Sequence, residues 1–209
     1  MHRRLVLFHA FVTSQLPVGS ARVLEMGCGD GALALALQAD GHEVVAIDPR
    51  APDGPIFRQA ALEEFSDGDG FDAVVASVSL HHVEDVGAGV SKLADLLRPS
   101  GLVVLEEFAK ERLAGKTARW YHEQRGGSAA LGELACWERE WAEEHAEVHP
   151  FAELRRELDR RFAERHLSWT PYLYSYGLDY ALEPVERTLI DEGAIEATGV
   201  RYVGALRPQ

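Results

Sequence analysis

The stretch Arg22-Val23-Leu24-Glu25-Met26-Gly27-Cys28-Gly29-Asp30-Gly31 constrains the fold of this chain more than any other. A short apolar run ends in Gly27, Gly29 and Gly31, and Ala32 to Leu37, apolar on every face, follows at once. Val23 and its apolar neighbours predict a buried parallel strand over about 21–26. The glycines turn the chain sharply and let bare backbone approach a ligand, because no Cβ stands in the way. The alanine-leucine run predicts a helix over about 30–40 that is buried against a sheet. Strand, glycine turn and helix together open a nucleotide-binding α/β unit.

The spacing separates two cofactor classes. A dinucleotide fingerprint reads G-x-G-x-x-G; here it is G-x-G-x-G, with Glu25 two residues ahead of the first glycine. Asp48 ends the next apolar run, Glu43-Val44-Val45-Ala46-Ile47-Asp48. It stands about 20 residues past the loop, where an acid can accept ribose hydroxyls. This set resembles the class I S-adenosylmethionine (SAM)-dependent methyltransferases. Two further stretches carry the same resemblance. One is Phe71-Asp72 to Asp85, with Leu80-His81-His82-Val83 inside it; the other is Leu97-Arg98-Pro99-Ser100-Gly101.

The resemblance covers nearly the whole chain, with its specific motifs in residues 21–107. It implies one domain over residues 1–209, Rossmann-like α/β, with helices on both faces of a seven-stranded mixed sheet. The implied order is 3-2-1-4-5-7-6, with strand 7 antiparallel. It implies SAM as cofactor, with S-adenosylhomocysteine as product. Glu25, Gly27, Cys28, Gly29 and Gly31 would wrap the aminoacyl end, and Asp48, followed by Pro49, would bind the ribose diol. Ala61 and Leu62 would bracket the adenine. Ser77, Val78 and His82 would lie beside the cofactor after the fourth strand. Cys28 reads as a small residue packed there rather than as a reactive thiol.

Strands are expected over about 42–48, 56–59, 71–77 and 102–105, then Arg165 to Tyr172 and Ile195 to Leu206. Leu5, Phe8, Val12 and Leu16 share one helix face, so the first residues read as a helix that covers the sheet or lids the cofactor. The apolar run there is too short and broken for a signal peptide. Val86, Val90, Leu93 and Leu97 mark a helix over about 85–98, and Phe151, Leu154, Leu158 and Phe162 another beginning at Pro150. Leu178, Leu182, Val185 and Leu189 mark a last helix face. Between them, residues 108–149 hold Trp120, Tyr121, Trp137 and Trp141 and predict a mainly helical insertion. Such a length exceeds the 2–6 residues of an ordinary β-to-α connection. With the first helix and Tyr172–Tyr180 it is expected to form the acceptor side of the pocket. Tyr172, Tyr174 and Tyr176 alternate and would share one strand face if the sixth strand runs that far.

A methyl transfer needs alignment of two reactants, and sometimes a base. His82 is the candidate catalytic residue, because imidazole titrates near neutrality; pocket-shaping is the other reading, and both stay open. His81 reads as a packing residue. His122 and His149 have two readings, facing substrate or lying at the surface, and the surface role is favoured for each. His145 and His149 have the i, i+4 spacing of metal ligands, but H-E-x-x-H is absent and Pro150 implies a helix boundary, so no metal is expected.

The 209 residues carry a formal net charge of −13, with acids exceeding bases in both halves. No basic half offers itself to nucleic acid, and no run is long enough to span a membrane. With only two cysteines, Cys28 and Cys136, a disulfide framework is not expected, and a reducing cytoplasm is. The leading function is methylation of a small-molecule acceptor. A protein or RNA methyltransferase, and a SAM-binding protein that transfers no methyl, remain the alternatives.

Overall fold

The structure, a computed structural model, describes residues 1–128 and 130–208; Ala129, within the expected insertion, and Gln209 lie outside the described residues. Its strands are β1 (Arg22–Met26), β2 (Glu43–Asp48), β3 (Phe57–Gln59), β4 (Phe71–Ser77), β5 (Leu97–Phe108), β6 (Phe162–Thr170) and β7 (Gly199–Leu206). They form one sheet in the order β3-β2-β1-β4-β5-β7-β6. β1 to β5 are parallel, while β7 runs antiparallel to both β5 and β6. This is the expected sheet.

Alternation along the central strands feeds two cores, because successive side chains leave a strand on opposite faces. Leu24, Val74, Ala76, Val103 and Leu105 meet residues of α3 (Val86–Leu96) and α6 (Phe151–Arg161) on one face. Val23, Ala73, Val75, Leu102 and Val104 meet α1 (Arg3–Gln15) and α2 (Ala32–Ala39) on the other. α1 buries Leu5, Phe8 and Val12, so its expected stripe does cover the sheet. Between β5 and α6 the chain forms α4 (Gly115–Gln124) and α5 (Leu131–Glu144), and α7 (Glu183–Asp191) precedes β7.

Four local expectations are corrected. The Arg98–Gly101 turn lies inside β5 rather than before it: Phe71 pairs with Leu97 and Ala73 with Leu102, so the turn is looped out as a bulge, with Ser100 at φ 66. β6 runs from Phe162 to Thr170 rather than from Arg165 to Tyr172: Phe162 belongs to the strand and not to the preceding helix stripe, and Pro171 has no N–H to carry the ladder on. β7 begins at Gly199, opposite Thr170, not at Ile195. Tyr172, Tyr174 and Tyr176 therefore do not share a strand face. They sit around a 3-10 turn, Leu173–Ser175.

The last helix also differs from its apolar pattern. α7 buries Glu183 and Glu186, while Val185 is exposed. Glu186 is fully buried and accepts from the backbone N–H groups of Tyr172, Leu173 and Tyr174 at 2.7–3.0 Å. Glu183 takes Arg3 of α1 and Arg187 at 2.7 Å each. Buried carboxylates held by backbone amides and by arginines, rather than an apolar stripe, dock this helix.

Candidate functional site

The loop after β1 adopts φ values of 70, 54 and 79 at Gly27, Gly29 and Gly31, a region other residues enter only at a cost. The glycines serve different contacts. A Cβ on Gly27 would stand 2.4 Å from the Ser79 Cβ, and one on Gly31 would stand 2.4 Å from the Phe57 ring. A Cβ on Gly29 would meet nothing within 4 Å; that position faces open space. The Gly29 N–H donates to Asp48 Oδ2 at 3.1 Å, and Arg50 N–H donates to Oδ1 at 2.8 Å. The Asp48 carboxylate is thus oriented at the end of β2, beside the loop.

A cavity of about 510 Å³ opens there, between the ends of β1, β2 and β4. Met26, Gly27, Ile47, Asp48, Pro49 and Leu62 form part of its wall, with Ser79 and His82 opposite. Its size falls within the usual range for small-molecule sites. An apolar wall, a fixed carboxylate and open space above Gly29 fit a nucleoside-bearing cofactor.

Behind the loop, Glu25 is 2% exposed and its Oε2 has no hydrogen-bond partner. Burial pushes its carboxyl up to about 8, with Asp30 and Asp48 adding to the rise and the Ala34 amide opposing it. Burial likewise pushes the Cys28 thiol up to about 12; a thiol so far from ionising is a poor nucleophile.

The chain leaves β4 through Val78, whose φ is 57, into a 3-10 turn, Leu80–His82. A fully buried carboxylate holds this turn. Glu107, near the end of β5, accepts from the N–H groups of Ser79 and Leu80 at 3.3 and 2.8 Å, and from His81 Nδ1 at 2.5 Å. Acceptance by the carboxylate places the His81 proton on Nδ1. From the far side, His149 N–H donates to the His81 carbonyl, and its Nε2 contacts the Val83 carbonyl at 3.0 Å. His82 projects outward, with its ring centroid 4.2 Å from that of His81. Partial burial, then the neighbouring His81, lowers its pKa, which favours the neutral imidazole that a base requires.

Glu106, on the opposite face of β5, is gripped by two arginines. Arg201 approaches Oε1 at 3.0–3.1 Å, and Arg4 of α1 binds Oε2 while also donating to Ser77 Oγ at 3.1 Å. The amino end of α1 therefore reaches the ends of β4 and β5. Next to it, Phe108 and Tyr172 stack at 4.9 Å, and Tyr176, Trp137, Trp141 and Val78 pack on the same cluster.

Of the residues singled out from the sequence, Gly27, Asp48, Pro49, Ala61, Leu62 and His82 meet around the cavity. Glu25, Cys28, Gly29, Gly31, Ser77 and Val78 are not on its wall; they form the loop or the strand ends behind and beside it. His145 and His149 do not act as a pair: His145 caps α5 and contacts Tyr176, whereas His149 clamps the 3-10 turn. Sequence reasoning missed Ser79, Arg4 and Glu107. The Glu106-Glu107 pair closing an apolar strand was the visible signal, since two acids there need buried partners.

A family model described as a methyltransferase domain matches residues 2–166. An uncharacterized methyltransferase of Mycobacterium tuberculosis is 32% identical over 122 residues, covering 51% of this chain and 60% of that protein. The ubiquinone biosynthesis O-methyltransferase of Azorhizobium caulinodans is 31% identical over 104 residues, covering 43% of this chain and 41% of its own length. The chain thus spans 60% or less of these curated relatives. Among solved structures, the 1,6-didemethyltoxoflavin-N1-methyltransferase of Burkholderia thailandensis, with 1,6-didemethyltoxoflavin and S-adenosylhomocysteine bound, aligns with a TM-score of 0.58 at 16% identity. That alignment covers 99% of this chain and 78% of the other, and shows a shared fold.

Proposed function

Because the chain belongs to the class I SAM-dependent methyltransferases, we propose that it transfers a methyl group from SAM to a small-molecule acceptor, with S-adenosylhomocysteine as product. The oriented Asp48 carboxylate on the cavity wall carries this reading. In it, Asp48 accepts the ribose hydroxyls. The Glu25–Gly31 loop, with Cys28, lies along the aminoacyl end, and Pro49, Ala61 and Leu62 bracket the adenine. Ser77, Val78 and His82 border the methyl-transfer end. The cofactor supplies an already activated sulfonium methyl, so the chain's own contribution is alignment and proton removal. Alignment of two reactants is worth roughly 7–11 kcal/mol. His82, neutral and rooted in a rigid turn, takes the acceptor proton as the nucleophile attacks, a contribution on the order of 10²–10⁴-fold.

Residues 108–149, the start of α1 and Tyr172–Tyr180 form the acceptor side. A small acceptor is supported by the relatives whose names give one, ubiquinone biosynthesis and didemethyltoxoflavin, and by the net charge of −13, which disfavours nucleic acid. The two free cysteines accord with work in a reducing cytoplasm. Among the described residues, no helix is long and apolar enough to cross a membrane.

Isothermal titration with SAM tests the reading. Asp48→Ala should weaken SAM binding by at least about tenfold, since two charge-assisted hydrogen bonds to the ribose are lost, while the protein stays folded, because the Gly29 and Arg50 amides it releases are exposed to water. Equal affinity in the variant refutes the ribose assignment, and a preference for NAD refutes the whole reading. A product screen for one added methyl separates transfer from binding alone.

A further inference from the structure

A groove of about 310 Å³ lies between the turn after β5 and helix α5, walled by Leu113, Ala114, Trp137, Trp141, Ala142 and His145. It shares no wall residue with the cofactor cavity. A cleft of about 440 Å³ links the two: it shares Lys110 with the groove, and His82, Val83 and Glu84 with the cavity. The cleft thus borders both hollows, touching the groove at Lys110 and the cavity at His82. We propose that this groove is the acceptor's ring-binding subsite, and that it selects planar aromatic small molecules. The proposal rests on the methyltransferase reading above and adds the substrate class.

The walls are flat and held in place. Trp141 stacks on His145 with centroids 4.3 Å apart and planes 16° from parallel, and it meets the edge of Phe108 at 89°. His145 Nδ1 lies 2.8 Å from the Trp141 carbonyl. A carbonyl only accepts, so Nδ1 carries the proton and Nε2 keeps its lone pair. Nε2 then accepts from the Tyr176 hydroxyl at 2.5 Å. Tyr176 is stacked on Tyr172, and its carbonyl accepts from the Tyr121 hydroxyl at 2.7 Å. The imidazole and the indole are thereby fixed before any ligand arrives, which lowers the ordering cost of binding.

What the groove offers is mainly aromatic surface, with the Glu138 carboxylate as a polar group on its wall. Lys110 donates to the His145 carbonyl at 2.7 Å, and Glu111 accepts from the Phe151 and Ala152 amides at 3.1 and 2.9 Å. Trp137 and Trp141 are only half-buried, although α5 sits over the aromatic cluster. Indole faces favour stacked or edge-on rings over saturated ones, and the volume matches one or two rings. An acceptor whose ring sits here would carry its nucleophile on a substituent long enough to cross the intervening cleft past Lys110 toward His82.

The test titrates catechol into the full chain, with and without S-adenosylhomocysteine, by ligand-observed NMR; cis-cyclohexane-1,2-diol serves as the saturated competitor. Catechol should bind, and the diol should not displace it. Trp141→Leu should weaken catechol binding at least about fivefold. Ala114→Trp, which fills the groove from an exposed position and leaves the core intact, should do the same. Both variants should keep the wild-type affinity for S-adenosylhomocysteine. Absence of catechol binding, equal binding in both variants, or equal competition by the diol overturns the proposal. Failure of S-adenosylhomocysteine to bind strikes the methyltransferase reading instead, and the catechol titration on the same protein still reads the groove.

Discussion

Replacing Glu25 with glutamine should stabilise this protein, and by more as the pH rises. Glu25 is buried behind the glycine loop with one oxygen unpartnered. Its carboxyl ordinarily titrates at 4.5 and is pushed to about 8 in the fold. The sign follows from proton uptake. Between these two values the unfolded chain has lost the proton and the folded chain still holds it, so stability falls as pH rises through the window. Below 4.5 both states are protonated and there is no penalty; above 8 the penalty is complete. At roughly 1.4 kcal/mol per pH unit, the full cost is on the order of 4–5 kcal/mol. Glutamine has nearly the same shape and no proton to lose. Urea unfolding of both proteins at pH 4.5, 6, 7.5 and 8.5 isolates the effect in their difference. The variant should match the parent at the lowest pH and exceed it by several kcal/mol at the highest. A difference that does not change with pH would show that the Glu25 carboxyl is not displaced upward in the folded protein, and would refute the argument.

Three further outcomes follow from other parts of the molecule. Glu107→Gln sets an amide against the His81 Nδ1–H and removes a charge-assisted bond, for a loss of about 1.5–3 kcal/mol in urea unfolding; once an acceptor is identified, the pH profile of kcat should also shift, because the turn carrying His82 moves, and an unchanged profile would make Glu107 purely structural. Gly29→Val places a side chain in the open space above the loop at φ 54, so SAM binding measured by calorimetry should be lost with a small drop in Tm; retained binding would put the cofactor elsewhere. Phe8→Ala in α1, fully buried, should cost about 3–5 kcal/mol, and a cost below 1 kcal/mol by denaturant titration would mean that α1 is not part of the core.

The sequence alone determined the strand-turn-helix opening and the β/α alternation, while the sheet order came only through the resemblance those motifs carry to the class I methyltransferases. The opening and the alternation rest on short-range signals: apolar runs, glycine spacing and an acid at the end of β2, each set by backbone conformation or by burial of a local face. It also singled out Asp48 and His82, because their neighbours in the chain define where the strands end. Only the tertiary structure decided where the buried charges go. Glu106, Glu107, Glu183 and Glu186 are each buried against partners 12 to 180 residues away or, for Arg187, one helical turn on. A charge enters the interior only when such partners converge, and convergence is a property of the fold, not of any window of sequence. The same holds for Tyr172 to Tyr176. Their alternation is strand-like, but Pro171 ends the ladder and the Glu186 carboxylate gathers three successive amides, so a distant side chain, rather than local propensity, sets the shape of this segment.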